Sequence, residues 1–248
     1  MAFHSHVRLP RAARGLAALI VLLAAAPAWA EESPDSAAPR VSFVNDVMPV
    51  LTKAGCNMGI CHAKAGGGQN GFQLSLLGYE TADDYDSLVK EGRGRRVVPA
   101  APEQSLLLRK AAGQLPHGGG TRLTADSIGY QTIRAWIEQG AAKDDASTPR
   151  LVRVEVQPER GVIAMGGTQP LAAIAHYSDG GHRDVTALAL FETNAEALAT
   201  VTEAGLVTVH DIPGKVAIMV RYMGQAAVFT AAVPLGAQVE NLPPTKNF

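Results

Sequence analysis

The segment GCNMGICH at residues 55–62 contains both cysteines of the chain, and a histidine directly follows the second of them. Two thiols can add to the two vinyl groups of haem, and an adjacent imidazole can coordinate the iron. The segment therefore predicts one covalent haem c per chain, with Cys56 and Cys61 as attachment residues and His62 as the proximal ligand. The spacer between the cysteines has four residues, longer than the usual spacer of about two.

Three other uses of the same residues remain open from the sequence. A disulfide between Cys56 and Cys61 suits an exported protein, but it leaves His62 without a role. A zinc site is less suited to adjacent ligands, because Cys61 and His62 would chelate one tetrahedral ion awkwardly. Catalytic thiol chemistry would need a separate base and an orienting group, and the sequence does not indicate either.

The N-terminus has the pattern of a secretory signal peptide. Arg8, Arg11 and Arg14 precede an apolar run at residues 16–26, and small residues precede Glu31. We expect residues 1–30 to be removed, which predicts a periplasmic or cell-surface protein; the alternative is an uncleaved membrane anchor. No later run reaches the roughly 18 apolar residues of a membrane span, so we expect no span in the mature chain.

Hydrophobic periodicity divides the rest of the chain into two regions. Apolar residues recur at helical spacing in residues 42–54 and again in residues 127–139, with glycine just beyond each stretch. After a polar segment the period changes, and short β-rich runs alternate with turn residues. We therefore predict a disordered lead-in at 31–40, a mainly helical haem domain at 41–142, a linker at 143–149, an antiparallel β-sandwich at 150–234 and a tail at 235–248.

Both regions resemble known families. Most of the first region closely resembles the planctomycete-type cytochrome c domain, in the stretches CNMGICHAKAGGGQNGFQLSLLGYE, GRRVVPAAPEQSLLLRKAAG, LPHGGGTRL and WIEQGA. The second resembles a group 2 bacterial immunoglobulin-like domain, in TQPLAAIAHYSDGGHRDVT, FETNAEALATVTEAGLVTV and PGKVAIMVRYMGQAAVF. The resemblance implies a two-domain fold class, a mainly α cytochrome c-like domain plus an all-β immunoglobulin-like sandwich.

The sixth iron ligand is predicted by elimination among Met48, Met58 and His117. Met48 lies in the first predicted helix and Met58 lies between the attachment cysteines, so neither easily reaches the opposite face of a haem. His117 lies in a glycine-rich loop, PHGGG, where the backbone can approach a porphyrin closely. We therefore predict a bis-histidine, low-spin haem whose iron is bound by His62 and His117. The alternative is an exposed loop histidine and an iron left five-coordinate or water-bound.

The function expected from these residues is electron transfer, and not an enzyme activity. A haem peroxidase would need an open iron position and distal acid–base groups, and no convincing distal set is present. A different class is a surface interaction or sensor module, in which the haem or a disulfide is structural. The net charge of -1 implies neither nucleic acid nor an anionic membrane as partner. A redox protein of unknown identity is expected, and a cell-surface partner of the β-sandwich is a second candidate.

Two further groups of residues are candidates from composition alone. Guanidinium groups match carboxylates, so Arg95, Arg96 and Arg122 are candidates to pair with haem propionates or are solvated surface residues. In the β-region, scattered histidines and aspartates fit turns and surfaces better than a metal site, and we expect neither metal nor catalysis there. These are His176, His182, His210, Asp179 and Asp184.

Overall fold

The computed structural model of the chain describes residues 1–3 and 40–236. The described residues 40–236 belong to one compact unit. The predicted signal peptide and lead-in lie outside the described residues except for residues 1–3 and 40. All but the first two residues of the predicted tail are also outside them.

Four short α-helices lie between residues 41 and 142. They are α1 (Met48–Lys53), α2 (Thr81–Val89), α3 (Leu106–Ala111) and α4 (Ile128–Glu138). A π-helix, Phe43–Val47, leads directly into α1, and four single-turn 3₁₀ helices occupy parts of the connections: Lys64–Gly66, Leu76–Gly78, Gly92–Gly94 and Pro102–Gln104. The stretches predicted at 42–54 and 127–139 are thus helical, and Ser42 and Ser127 accept N-cap hydrogen bonds as N-cap serines do.

The fold class predicted from the sequence is wrong. The α-helices have only 6, 9, 6 and 11 residues, so the described residues are mostly β-sheet and include no substantial cytochrome-like helical domain. Left-handed backbone at Leu77 and Arg93 interrupts two of the 3₁₀ turns, and most of the chain between helices is irregular. The predicted boundaries of the haem domain, the linker and the β-sandwich stay predictions.

The core of the helical region is built around three aromatic rings. The ring of Phe43 lies 5.3 Å from that of Tyr85, edge to face, and 5.3 Å from that of Trp136. The indole N–H of Trp136 donates to the Ala142 carbonyl at 3.0 Å, and the Tyr85 hydroxyl donates to the Ala141 carbonyl at 2.9 Å. The start of the region is therefore packed against its end, and both polar groups of these rings are satisfied.

Ten strands occupy the region from residue 151 to residue 233. They are β1 (Leu151–Gln157), β2 (Arg160–Val162), β3 (Thr168–Pro170), β4 (Ala172–Tyr177), β5 (His182–Asp184), β6 (Leu190–Thr193), β7 (Ala199–Val201), β8 (Leu206–Val209), β9 (Gly214–Tyr222) and β10 (Gln225–Val233). They form three sheets, with strand orders β1-β4-β5, β2-β10-β9-β6 and β3-β8-β7. All pairs are antiparallel except β2 with β10. Alternating buried valines, alanines and isoleucines from these sheets share one apolar core.

Polar contacts join the first helices to the β-region. The Lys53 ammonium donates to the carbonyls of Ala189 at 2.9 Å and Glu203 at 2.8 Å. The Arg183 guanidinium pairs with Asp46 at 2.8 Å. These contacts fix the residues just before Cys56 relative to the strands.

Candidate functional site

The cysteine segment begins where α1 ends. The amide of Cys56 donates to the carbonyl of Leu51, in the last turns of the helix, at 2.9 Å. The amide of His62 donates back to the Cys56 carbonyl at 3.1 Å, so residues 56–62 form a closed loop. His62 is also held from the other side, because the Leu74 amide donates to its carbonyl at 2.6 Å. Local hydrogen bonds thus place both cysteines and the histidine on one short loop.

Both cysteines are free thiols and both are partly exposed. Burial raises the pKa of the Cys56 thiol to about 11, and the positive charge of Arg122 opposes this shift. Cys56 is therefore protonated at neutral pH, which is unlike the low-pKa thiolates that act as nucleophiles in enzymes.

The imidazole of His62 is oriented by the backbone of residue 72. Its Nδ1 lies 3.1 Å from the Phe72 carbonyl oxygen. An oxygen of this kind can only accept, so Nδ1 carries the proton and the Nε2 lone pair remains available. Burial lowers the pKa of His62, and the positive charges nearby add to this effect, so the neutral imidazole is favoured. A metal-binding histidine is typically held in this way.

His117 is oriented by an equivalent contact. Its Nδ1 lies 3.0 Å from the carbonyl oxygen of Gly120, in the same loop. The lone pair on its Nε2 is therefore available to a metal, as in His62. The loop is tight at this point: a Cβ added at Gly119 would lie 3.0 Å from the imidazole Cε1 of His117. A larger residue at position 119 would therefore require the ring to shift by a few tenths of an ångström.

The structure brings the two predicted iron ligands together. The imidazole planes of His62 and His117 are within 6° of parallel, and their ring centroids are 6.2 Å apart. A ring nitrogen lies about 1 Å from its centroid and a metal–imidazole bond is about 2 Å long, so two imidazoles on opposite sides of one ion have centroids about 6 Å apart. The observed centroid distance is close to this value, so the two imidazoles would be near enough to hold one ion.

Two further residues lie beside His62: Phe72, which the sequence did not single out, and Arg96, which was a candidate to pair with a haem propionate. The Phe72 ring lies 4.5 Å from the His62 ring, centroid to centroid. The Arg96 guanidinium lies over the Phe72 ring, with Cζ 4.7 Å from the ring centroid. Arg96 also donates to the carbonyl of Gly71 at 2.9 Å and to that of Ser87. The signal for these roles was weak, since Phe72 lies ten residues from His62 and Arg96 lies farther still.

The other candidates from the sequence are the methionines considered as iron ligands and the arginines considered as partners of haem propionates. Met48 is fully buried in the core of the helical region, and Met58 lies beside Gly55, next to Cys56. Arg96 is largely committed to backbone carbonyls, whereas the Arg95 and Arg122 side chains are exposed. Within residues 1–3 and 40–236, no group of three or more histidine, cysteine, aspartate or glutamate side chains is arranged to hold a metal ion.

The polar residues of the β-region make turn and surface contacts. Asp179 accepts from the Gly181 amide at 2.8 Å, and Asp184 accepts from the amide and hydroxyl of Thr186, which are the turn contacts that the sequence predicted. His176 is paired with Glu155 at 3.1 Å.

Comparisons with known proteins add little to these observations. No protein-family model matches the chain, and no curated protein matches it either. In the part of the chain that the structure describes, no helix has the length and apolar character to cross a membrane. The resemblances to the planctomycete-type cytochrome c domain and to the group 2 immunoglobulin-like domain therefore stay predictions.

Twelve solved chains match by structure, among them two of S-layer proteins. One is the crystal structure of the S-layer protein rSbsC(31-844), with 18% identity over 38% of this chain and 14% of that chain, at a TM-score of 0.30. Another is of domains 5-6 of the S-layer protein SbsC, with 16% identity over 38% of this chain and 49% of that chain, at a TM-score of 0.31. The matched part of this chain thus corresponds to less than half of either protein, and scores this low carry no conclusion about the function of this chain.

Proposed function

We propose that this chain is an exported electron carrier with one covalent haem c, held by Cys56, Cys61, His62 and His117. The observation that carries the proposal is the paired geometry of the two imidazoles, which are parallel and 6.2 Å apart. Both direct Nδ1 to a backbone carbonyl and leave Nε2 for a metal.

The side chains at this site match a covalent haem both in their chemistry and in their number. Two thiols, both free, lie on the same loop as His62 and supply the attachment points for two vinyl groups. The pair of histidines is sufficient for the iron of a haem, since the porphyrin provides the other four nitrogens. The lack of a larger cluster of metal-binding side chains among the described residues is therefore no obstacle to this proposal.

When bound, a haem of this kind supplies reversible one-electron chemistry between Fe(III) and Fe(II). The chain's own residues set the conditions. The carbonyls of Phe72 and Gly120 fix the tautomer and the orientation of the two imidazoles, and Phe72 shields one face of His62 from water. Because these contacts would hold both imidazoles in the same position in the two oxidation states, electron transfer would need little rearrangement of the ligands. Two histidine ligands also place the potential below that of a histidine–methionine pair.

Export is part of the same proposal. The signal pattern at residues 1–30 supports transport out of the cytoplasm, to the periplasm or the cell surface. Covalent attachment suits that setting, because a loosely held cofactor would be lost by dilution. The partner of such a carrier is a redox protein, and the strands from residue 151 onward present a separate surface for cell-surface contacts.

The test is expression with a haem-attachment system, followed by an intact mass and a pyridine haemochrome spectrum. We expect the mass of the secreted chain to be increased by one haem, and the spectrum to be that of a thioether-linked haem. The matched control is Cys56→Ser/Cys61→Ser, which removes both attachment points and should give a mass without the increment. A mass without haem in the parent chain would overturn the proposal.

A further inference from the structure

One stretch of the chain has a strong excess of positive charge. Residues 93–122 contain six basic residues and one acidic residue, although the net charge of the whole chain is -1. The acidic residue, Glu103, is already paired with Arg134 at 2.6 Å, and Arg96 has a carboxylate partner of its own. For the other five cations, no ion pair is found within the described residues. We call them the cationic face: Arg93, Arg95, Arg109, Lys110 and Arg122.

The cationic face is assembled from three pieces of chain that lie side by side. The amide of Leu106, at the start of α3, donates to the Arg95 carbonyl at 3.4 Å. The amide of Arg122 donates to the Ala111 carbonyl, at the end of the same helix, at 2.7 Å. The turn before α3, the helix itself and the segment after the histidine loop are therefore neighbours, and each of them contributes positive charge.

The same charges surround the proposed haem site. Lys110 donates to the carbonyl of Pro116 at 2.9 Å, in the loop that contains the distal histidine. The Arg122 guanidinium lies next to the cysteine loop, since a Cβ added at Gly55 would be 3.9 Å from its Nη1. The face and the site therefore occupy the same side of the helical region.

An exposed apolar side chain lies within the cysteine loop. Ile60, between the two cysteines, is 77% exposed. Interfaces between proteins commonly combine an apolar centre with a polar, charged rim. A linear polyanion would neutralise the arginines but would gain nothing from an isoleucine, so the combination favours a folded protein partner.

We propose that the cationic face and Ile60 form the docking surface for a redox protein with an acidic surface. The proposal rests on the proposed function, which requires a partner to reach the haem site. Complementary charge steers such encounters and orients them, and it raises association rates by roughly 10-fold to 1000-fold at low ionic strength. Because the net charge of the whole chain is only -1, the electrostatic attraction acts by orienting the chain so that the cationic face meets the partner.

The experiment uses an acidic flavodoxin as the probe and measures its affinity for the full secreted chain by fluorescence anisotropy. Between about 10 mM and about 300 mM salt we expect the affinity to fall roughly tenfold or more, because exposed charges are screened. Arg93→Glu/Arg95→Glu should weaken binding at low salt by a similar factor. Arg160→Glu/Lys215→Glu makes the same change of net charge in the β-region and should bind like the parent.

Three results would overturn the docking surface. One is equal weakening by the two charge-reversal pairs, which would show a response to net charge alone. Another is binding of dextran sulfate that depends on Arg93 and Arg95 while flavodoxin binding does not. The third is unchanged affinity in Ile60→Asp. Haem content is measured separately, so a chain without haem refutes the proposed function while the affinity series still decides the surface.

Discussion

The guanidinium of Arg96 lies over the ring of Phe72, with Cζ 4.7 Å from the ring centroid, while only 12% of the Arg96 side chain is exposed. The same ring lies 4.5 Å from the His62 ring, centroid to centroid. Arg96 thus holds the segment whose backbone orients the His62 imidazole. The hydrogen bonds of Arg96 go to backbone carbonyls and not to that imidazole.

We expect Arg96→Gln to lower the free energy of unfolding by about 1–3 kcal/mol, because two backbone carbonyls lose a charged donor in a poorly solvated position. Arg96→Lys should recover only part of this loss, since an ammonium cannot reach both carbonyls and stack on the ring. Denaturant unfolding measures both changes. Arg95→Gln, an exposed neighbour, is the control and should leave the stability within about 0.5 kcal/mol of the parent.

His117 can be tested by its effect on the spin state of the iron. His117→Ala should keep the covalent haem but convert the iron towards high spin and open it to carbon monoxide. His117→Met should restore a low-spin spectrum at a higher reduction potential, because methionine ligation raises the potential. Absorption spectra and redox titration measure these changes, with His182→Ala as the control. An unchanged low-spin spectrum in the alanine variant would rule out His117 as the ligand.

Lys53 should contribute to stability by joining α1 to the β-region. Lys53→Met keeps the length of the side chain but removes the donor to the carbonyls of Ala189 and Glu203. We expect a loss of about 1–3 kcal/mol in the free energy of unfolding. Lys215→Met, at an exposed position of β9, is the matched control and should change the stability little. Equal stability of the two variants would mean that the contacts of Lys53 add nothing.

Asp84 should make stability depend on acid pH. Its carboxylate is buried and accepts hydrogen bonds from the amide and hydroxyl of Ser75, but burial is the larger effect and raises its pKa. An acid with a raised pKa favours the folded state most below its unfolded pKa, about 4, and this contribution is lost as pH rises through the folded pKa.

The comparison for this prediction is Asp84→Asn, which cannot ionise. We expect the stability of the parent relative to the variant to fall as pH rises from about 4 and then to level off. Thermal or denaturant unfolding over a pH series measures the difference, and any constant offset from altered hydrogen bonds cancels in its slope. A difference that grows in the opposite direction would show that the hydrogen bonds from Ser75 outweigh burial.

Local patterns in the sequence were enough to place the first and the last helical stretch and the turns at Asp179 and Asp184. Serine N-caps and apolar spacing predicted the helical stretches that begin after Ser42 and Ser127, because both signals act within a few residues. They did not predict how little helix lies between these two stretches. Hydrophobic periodicity does not indicate left-handed backbone, such as that of Leu77 and Arg93. Residue type does not indicate it here either, because neither residue is a glycine or an asparagine.

The candidate site shows the same limit. Cys56, Cys61 and His62 form a contiguous motif, and His117 was predicted by elimination, but the sequence could not show that the imidazoles of His62 and His117 are parallel. That geometry depends on carbonyls at residues 72 and 120 and on a stack that includes Arg96. These contacts join parts of the chain that come together only on folding, so no local pattern indicates them.

The contacts of Lys53 and Asp46 with the β-region have a consequence for molecular tumbling. Two regions joined by a flexible linker rotate partly independently, and their amides report two rotational correlation times. Here the residues from 41 to 142 are joined to the strands by hydrogen bonds and an ion pair within one compact unit, so ¹⁵N relaxation should report a single correlation time for both. A partner that binds the cysteine loop must therefore orient itself against the whole body.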